Sequence, residues 1–257
     1  QVTSADGLDL AGWWIPSRNG AALIVQHGYK TNRSTRLLGI AALLVKHGYG
    51  VLLSSVRAHD VNGGEVISFG LEEMQDMAAW VAFVGQVDGV DPQRIGIFGN
   101  SMGGSLAIQL AAQSPAIKAV VAHSATASIR STVETSVRYF TGLPPLPFAP
   151  MILFWVERDW GIDADVLDFT QWIDDLSPRP VLLMQGGADV VIAPASGQLL
   201  YEAALEPREL WFDAALDHVA FFDERPEEFE RRVVGFFDWY LLDSFTEPLA
   251  IDGLPQP

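Results

Sequence analysis

Short, mostly apolar runs alternate along this chain with longer stretches whose apolar residues recur every three or four positions. The runs Ala21–Gln26, Gly50–Ser54 and Arg94–Phe98 predict strands that are buried on both faces. The stretches Arg36–His47 and Glu72–Val87 flank them and predict amphipathic helices. The same alternation continues toward the C-terminus, with strands predicted at Ala119–His123, Pro180–Gln185 and Glu209–Phe212 and helices at Ser101–Gln113, Ala195–Leu205 and Pro226–Leu241.

This alternation of strand and helix is typical of α/β proteins. Buried strands that are joined by crossover helices lie parallel in one sheet, with helices on both faces. We therefore predict a doubly wound, mostly parallel sheet, preceded by a hairpin strand over Leu8–Ile15 that follows the turn Ala5-Asp6-Gly7. The 257 residues fit one large domain, and the 49% hydrophobic share is enough for a sizeable core.

The region between the strand that ends near His123 and the strand that starts at Pro180 breaks the alternation. It has no clear strand, and a structureless loop of that length is improbable in a compact domain. We interpret residues 127–177, which are rich in aromatic side chains, as a small helical insertion that covers a site, and residues 1–126 and 178–257 as the α/β core. An ordinary pair of core helices fits the same pattern.

The pentapeptide Gly99-Asn100-Ser101-Met102-Gly103 stands between a predicted strand and a predicted helix. Glycines on both sides of a serine let the chain turn sharply against its neighbours, so that the hydroxyl is exposed above the sheet. The helix N-terminus favours negative charge, and the backbone N–H of Met102 is placed to donate to an oxyanion. We predict that Ser101 is a nucleophile; a plain tight turn is the alternative.

Two further turns follow the carboxyl ends of predicted strands, where catalytic groups of open α/β sheets collect. His27-Gly28-Tyr29 follows one strand, and we expect the backbone N–H of Tyr29 to point at the same oxyanion, with His27 in a structural role beneath the turn. Gln185-Gly-Gly-Ala-Asp189 ends a later strand and makes Asp189 the leading candidate for the acid that orients a base. A loop-capping aspartate is the alternative.

His218 lies in the loop between the last predicted strand and the C-terminal helix. From such a loop an imidazole can reach over the sheet and act as the base. Among the other histidines only His123, which ends a predicted strand, is a serious rival. The order Ser101, Asp189, His218 along the chain is the nucleophile–acid–histidine order of one known hydrolase fold.

Together these motifs resemble the bacterial α/β hydrolases of the esterase or prolyl-oligopeptidase-like type, and the similarity covers nearly the whole chain. The resemblance implies the α/β-hydrolase fold and a lid over residues 127–177. It also implies a catalytic triad and an oxyanion hole that is made by two backbone N–H groups. The residues concerned are Ser101, Asp189 and His218 for the triad and Tyr29 and Met102 for the oxyanion hole.

One loop departs from the pattern of these relatives. After a buried strand they carry a loop of the type Asp-x-Arg-Gly-His-Gly-x-Ser, whereas this chain reads Ser55-Val-Arg-Ala-His-Asp-Val-Asn62. Arg57 and His59 match, but the aspartate and both glycines are replaced. The geometry of this loop is therefore not predicted by the resemblance.

Charge and residue usage exclude several classes of partner. A net charge of −16 repels phosphate backbones and anionic membranes, so nucleic-acid binding is disfavoured. The chain has no cysteine, which removes disulfides, thiolate metal sites and a cysteine nucleophile. No two histidines have ligand spacing, and the glycine-rich turns lack the spacing of a phosphate cradle. We predict no metal, no cofactor, and either a monomer or a homodimer.

The chain begins at Gln1 rather than at Met, which we interpret as trimming or processing. A signal peptide or an apolar anchor upstream is one alternative, and the sequence is compatible with a cytoplasmic, an extracytoplasmic or an anchored location. No apolar run within the chain reaches the roughly 18 residues that suggest a membrane span.

Hydrolysis of a carboxylic ester is the function that these features favour. An aromatic insertion predicts an apolar pocket, and so a short to medium acyl or aryl ester as substrate. A peptidase or amidase uses the same chemistry, and a non-catalytic binding protein that kept the fold is a third hypothesis. Dehalogenases and epoxide hydrolases need a carboxylate where this chain has a serine. The side chains predicted to line the pocket are Phe140, Phe148, Trp155 and Trp160.

Overall fold

The computed structural model of the chain describes residues 1–34, 36–161 and 163–242. Their strands are β1 (Val2–Thr3), β2 (Asp9–Leu10), β3 (Trp13–Ile15), β4 (Ala22–Gln26), β5 (Gly50–Ser54), β6 (Ile95–Asn100), β7 (Ile117–His123), β8 (Val181–Gly186) and β9 (Arg208–Asp213). Their α-helices are α1 (Leu37–Lys46), α2 (Glu73–Val84), α3 (Met102–Gln113), α4 (Ile129–Thr141), α5 (Pro145–Trp160), α6 (Ala195–Ala203), α7 (Phe221–Glu224), α8 (Pro226–Phe229) and α9 (Gly235–Leu241). A π-helical turn joins α8 to α9.

Seven of these strands form one sheet in the order β3-β5-β4-β6-β7-β8-β9. Strand β3 pairs antiparallel with β5, and every other neighbouring pair is parallel. Strands β1 and β2 form a separate antiparallel pair around the predicted turn. The predicted α/β class with a doubly wound, mostly parallel sheet is confirmed.

The central strands are apolar at most positions before their carboxyl ends because helices cover both faces of the sheet. In β4, Ala22 and Ile24 face a core that includes residues of α2 and α3, while Leu23 and Val25 face a second core with α1 and α9. Successive side chains of a strand point to opposite faces, so both positions of the period are buried here. This is the physical reason that the sequence shows continuous apolar runs rather than alternation.

The prediction of one strand over Leu8–Ile15 was wrong, because the chain bends in its middle. At Gly12 an ideal Cβ would lie 2.8 Å from the ring of Trp80, so the backbone passes directly against that side chain. The N–H of Ala11 donates to the side chain of Asn62 at 2.8 Å instead of joining a strand. The segment is therefore divided between the small sheet and the large one.

The region over residues 127–177 contains α4 and α5, followed by short 3₁₀ turns at Phe169–Gln171 and Asp174–Leu176. Backbone hydrogen bonds close its base, from Ile129 N to Leu167 O at 3.0 Å and from Phe169 N to Ala127 O at 2.8 Å. The two ends of this region therefore lie side by side, with α4 and α5 between them along the chain. The division into core and lid stays a prediction.

Among residues 1–34, 36–161 and 163–242, no single helix has the length and apolar composition of a membrane span. The segments Ile129–Thr141 and Pro145–Asp159 have them only as a pair, which is bent by 119°.

Candidate active site

Strands β4 and β6 lie side by side at the point where the strand order reverses. The chain runs from β4 outward to β5 and then returns to β6 on the other side of β4. The loops that leave the carboxyl ends of two such strands diverge and open a crevice between them. Here β4 leads into His27-Gly28-Tyr29, and β6 leads into Ser101.

The turn at Ser101 is held in a conformation that other residues rarely adopt. Ser101 has φ 56° and ψ −123°, and its N–H donates to the carbonyl of His123 at 2.7 Å. An ideal Cβ at Gly99 would lie 2.1 Å from the carbonyl oxygen of Gly103, and one at Gly103 would lie 2.5 Å from that of Gln26. Glycine at both positions is therefore what lets the serine stand at the top of the sheet.

The structure brings Ser101, His218 and Asp189 into one hydrogen-bonded series. The Oγ of Ser101 lies 3.0 Å from Nε2 of His218, and Nδ1 of His218 lies 2.8 Å from Oδ2 of Asp189. Burial opposes ionisation of Asp189, but the hydrogen bond and charge of His218 outweigh it, so the pKa of Asp189 lies below its usual range. The backbone N–H groups of Val191 and Ile192, at 2.9 and 2.8 Å, also favour its charged form.

The loop that carries His218 is tied to the ends of the neighbouring strands. The N–H of Val219 donates to Oγ of Ser124 at 3.2 Å. An ideal Cβ at Gly186 would lie 2.2 Å from the carbonyl oxygen of Leu216, so this loop passes directly over the end of β8. The imidazole therefore reaches the serine from a position that both β7 and β8 support.

His123, the rival histidine, does not present its ring to the serine. The ring is fully buried against the side chains of Phe98, Phe221 and Phe229, and its Nδ1 lies 2.8 Å from Oδ1 of Asn100. Burial lowers the pKa of His123 to about 3, so the ring is neutral. His123 therefore supports the turn of the serine through its backbone carbonyl and through the contact of its ring with Asn100, and not as a base.

A buried neutral imidazole makes stability depend on pH. The unfolded chain takes up a proton below the usual pKa of 6.5, whereas the folded chain does so only near 3, so stability is lost as the pH falls from 6.5 to about 3. We expect wild type to lose about 2 kcal/mol more than His123→Leu between pH 7 and pH 5. Urea unfolding at both pH values measures this difference, and equal losses in the two proteins would contradict it.

Tyr29 and Met102, the residues whose N–H groups were predicted to bind an oxyanion, line the same pocket as Ser101. Met102 is the first residue of α3, and the first N–H groups of a helix have no partner within it. On the other side, an ideal Cβ at Gly28 would lie 3.1 Å from Cβ of Ser101, so the turn that carries Tyr29 passes directly beside the serine. The structure therefore brings Met102 and the turn that carries Tyr29 next to Ser101, and the role of their N–H groups as oxyanion donors stays a prediction.

Two histidines hold the turn of residues 27–30 from below. His27 is buried, and its Nδ1 lies 2.9 Å from the carbonyl oxygen of Gly28. Burial lowers the pKa of His27 to about 4, despite that hydrogen bond. Nε2 of His59 accepts the N–H of Lys30 at 3.1 Å. The structural position of His27 agrees with the sequence, whereas the contact of His59 was not predicted.

The atypical loop over residues 55–62 keeps a left-handed backbone without glycine. Ala58 and Asp60, which replace the two glycines of the relatives, have φ 54° and 60°. The guanidinium of Arg57 bonds to Asp76 at 2.7 Å and also reaches Asp6 at 2.9 Å. The contacts of Arg57, of which the one with Asp76 is buried, hold the loop in a conformation that its own residues disfavour.

An apolar pocket of about 300 Å³ lies in front of Ser101. Residues between 29 and 126 together with Val191 and Ile192 form one part of its lining, and residues between 129 and 169 form the other. None of the described residues that line it is charged. They are Tyr29, Ile67, Phe69, Ser101, Met102, Ser105, Thr126, Ile129, Thr132, Val133, Ser136, Phe140, Leu153, Val156, Ala164, Leu167, Phe169, Val191 and Ile192.

Three of the four side chains that were predicted to line this pocket are described; of these, Phe140 lines it, whereas Phe148 and Trp155 do not. Helix α5 turns the face with Leu153 inward, and Trp155 lies about 200° around the helix from that residue. Aromatic content therefore pointed to the correct segment and to the wrong face. The side chain of Trp160 lies outside the described residues.

Phe69 is a pocket residue that the sequence did not indicate. It has φ 56°, and its ring stacks on Tyr29 with the centroids 5.3 Å apart. The buried carboxylate of Glu73 holds the loop by accepting the N–H groups of Ser68 at 2.7 Å and Gly70 at 2.8 Å. In the sequence, the only local indication that Phe69 is held at the pocket was the polar residue Glu73 at the start of a helix.

The sequence of the chain is similar to those of several known proteins. A sequence model of the family described as X-Pro dipeptidyl-peptidase (S15 family) matches residues 10–143. The uncharacterized protein Rv2307c of Mycobacterium tuberculosis is 31% identical over 216 residues, covering 80% of this chain and 67% of that protein. The uncharacterized protein YfhR of Escherichia coli (strain K12) is 26% identical over 245 residues, covering 92% and 78%.

Among solved structures, the esterase Pf2001 of Pyrococcus furiosus matches with a TM-score of 0.77 at 26% identity, covering 93% of this chain and 91% of that one. The family match covers more than half of the chain and includes the turn at Ser101. The predicted α/β-hydrolase resemblance is thereby confirmed. The chain is a hydrolase of the α/β fold that belongs to the S15 family, the family described as X-Pro dipeptidyl-peptidase.

Proposed function

We propose that this chain hydrolyses uncharged carboxylic esters with short to medium acyl or aryl groups. The observation that carries the proposal is the series Ser101–His218–Asp189, whose serine opens on an uncharged pocket of about 300 Å³. A serine hydroxyl becomes a nucleophile when a neighbouring base removes its proton, and the base must be held in one orientation.

In the proposed reaction, Nε2 of His218 takes the proton of Ser101 as Oγ attacks the ester carbonyl. The carbonyl electrons move to oxygen, and the tetrahedral intermediate collapses when His218 returns the proton to the leaving alkoxide. Water then attacks the acyl-enzyme with His218 again as base, which releases the acid and restores Ser101. Asp189, ionised because its pKa is lowered, stabilises the imidazolium throughout.

The N–H groups of Tyr29 and Met102 are the proposed donors to the oxyanion. Support comes from the position of Met102 at the start of α3 and from the close approach of Gly28 to Ser101. Donors that are already oriented stabilise the developing charge without reorganisation, and one such donor typically contributes about two to three orders of magnitude in rate.

Residues 127–177 are proposed as a lid over the core of residues 1–126 and 178–257. Support comes from the pocket wall that α4 and α5 supply, with Ile129, Val133 and Leu153 among its apolar members. This wall excludes water from one side of the serine, which strengthens the electrostatic interactions of the reaction.

Cleavage of peptides is the second candidate, and the family match favours it. A dipeptidyl-peptidase releases two residues from the N-terminus of its substrate, so it must bind a free ammonium group near the cleaved bond. The described lining of the pocket includes no aspartate or glutamate. We therefore place uncharged esters first, in agreement with the name of the Pyrococcus furiosus esterase.

A fluorophosphonate probe and matched substrates test the proposal. We expect one adduct on Ser101, absent in Ser101→Ala and retained in Ser105→Ala, a matched control whose hydroxyl lines the same pocket but accepts the N–H of Thr126 at 3.1 Å. We also expect p-nitrophenyl butyrate to be cleaved faster than butyryl p-nitroanilide and glycyl-prolyl p-nitroanilide. Faster cleavage of the glycyl-prolyl anilide would favour the peptidase, and no adduct would favour a non-catalytic binding protein.

A further inference from the structure

We call residues 139–156 the apolar tip; they comprise the end of α4, the turn after it and most of α5. These eighteen residues contain no Asp, Glu, Lys, Arg or His, although the chain as a whole has a net charge of −16. Most of them are also exposed, with Phe140 and Leu146 each at 72%. The other large exposed side chains of the tip include Leu143, Met151, Phe154 and Trp155.

Helix α5 has two apolar faces, and only one of them is covered. Ala149 and Leu153 point inward and are buried, whereas Met151, Phe154 and Trp155 lie on the opposite arc and are about half exposed. An amphipathic helix of a globular protein normally exposes polar residues on that arc. A continuous apolar surface of this kind marks a site of contact with a protein or a lipid.

The charges that border the tip suit the headgroups of zwitterionic lipids. Arg138 precedes the tip, and Arg158 follows it with its guanidinium 5.0 Å from the ring centre of Trp155. Arginine and tryptophan at the edge of an apolar surface are typical of residues at a membrane interface. Glu157, the nearest acid after the tip, is paired with Arg130 at 3.0 Å.

The position of the pocket favours a lipid surface over a second copy of the chain as the partner of the tip. Phe140 belongs both to the tip and to the lining of the pocket, so the two surfaces meet at this side chain. A second copy bound to the tip would cover this edge of the pocket, and two copies of net charge −16 repel each other. A lipid surface leaves the edge open to apolar molecules that are dissolved in it.

We propose that the apolar tip docks onto surfaces of zwitterionic lipids, which carry no net charge, and presents the edge of the pocket to them. The proposal rests on the exposed surface and would hold whether or not the chain hydrolyses esters. The negative charge of the rest of the molecule restricts the partner to lipids without net charge, because anionic headgroups repel it.

Flotation of the full chain with phosphatidylcholine vesicles tests the proposal. We expect wild type to float with these vesicles and the double variant Leu146→Ser, Phe154→Ser to lose about tenfold or more in partition, because two apolar side chains no longer leave water. The double variant Val61→Ser, Leu205→Ser is the matched control, since it removes two exposed apolar side chains outside the tip. Hydrolysis of soluble p-nitrophenyl acetate by the tip variant should equal that of wild type.

Three results would overturn the proposal. The first is that wild type does not float with phosphatidylcholine vesicles. The second is that wild type floats equally well or better with vesicles rich in phosphatidylglycerol, and the third is that the tip variant and the control variant lose the same amount of partition. A dimer in sedimentation velocity that the tip variant abolishes would assign the surface to a second copy instead. Because flotation does not depend on turnover, failure of the ester proposal leaves this test unchanged.

Discussion

Replacing Ser101 and His218 together with alanine is expected to lower kcat for p-nitrophenyl butyrate no further than either single replacement, by about 10⁶-fold in each case. The serine is reactive only while the imidazole at 3.0 Å accepts its proton, so the two side chains act as one unit. Initial rates and active-site titration of the three variants measure the effect. Additive losses would show that the two residues act separately and would contradict the proposed mechanism.

Asp189→Asn provides the intermediate case in the same series. The asparagine keeps the size of the side chain but removes the charge that fixes the imidazole, and we expect a loss of about 10⁴-fold in kcat. Ser105→Ala is the control, because it removes a hydroxyl from the same pocket without touching the series. Unfolding of each variant in urea separates loss of activity from loss of the fold.

Replacing Gly103 with alanine is expected to destabilise the fold by about 1–3 kcal/mol. A Cβ there would lie 2.5 and 2.6 Å from the carbonyl oxygens of Gln26 and His27, and backbone atoms of a central strand have little room to move. The same displacement would shift the turn at Ser101, so the esterase rate should fall as well. Thermal and urea unfolding together with ester hydrolysis measure both effects.

Gly235→Ala is the matched control for this substitution. Gly235 is helical, and a Cβ at this position would meet no atom within 4 Å. Alanine is therefore expected to stabilise the fold by about 0.5–1 kcal/mol, because glycine is the poorer helix former. If both variants behaved alike, close approach at the turn of the serine would not be the cause of the destabilisation.

The sequence alone was sufficient for the elements of the core and for the turn at Ser101. Strands β4 and β5 were predicted within one residue of their observed bounds, because strands covered on both faces form a nearly continuous apolar run. The glycines around Ser101 were equally legible, since few other residues fit a backbone that passes so close to its neighbours. Local patterns of this kind are imposed by contacts that any fold of this class must make.

Tertiary structure decided the features that depend on which neighbour a segment meets. His123 ends strand β7 and His218 follows strand β9, and only packing among three phenylalanines shows that the ring of His123 is buried away from the serine. The inward face of α5 carries Leu153 rather than Trp155. The sequence could not show this, because the periodicity of a helix with apolar residues on all sides does not indicate which side is buried. Phe69 reaches the pocket through a loop that Glu73 holds from outside it. The ring of His123 and the inward face of α5 are set by contacts between residues that are distant in the sequence, which no local pattern records. Phe69 depends on short-range bonds to Glu73, but its place in the pocket comes from the distant Tyr29.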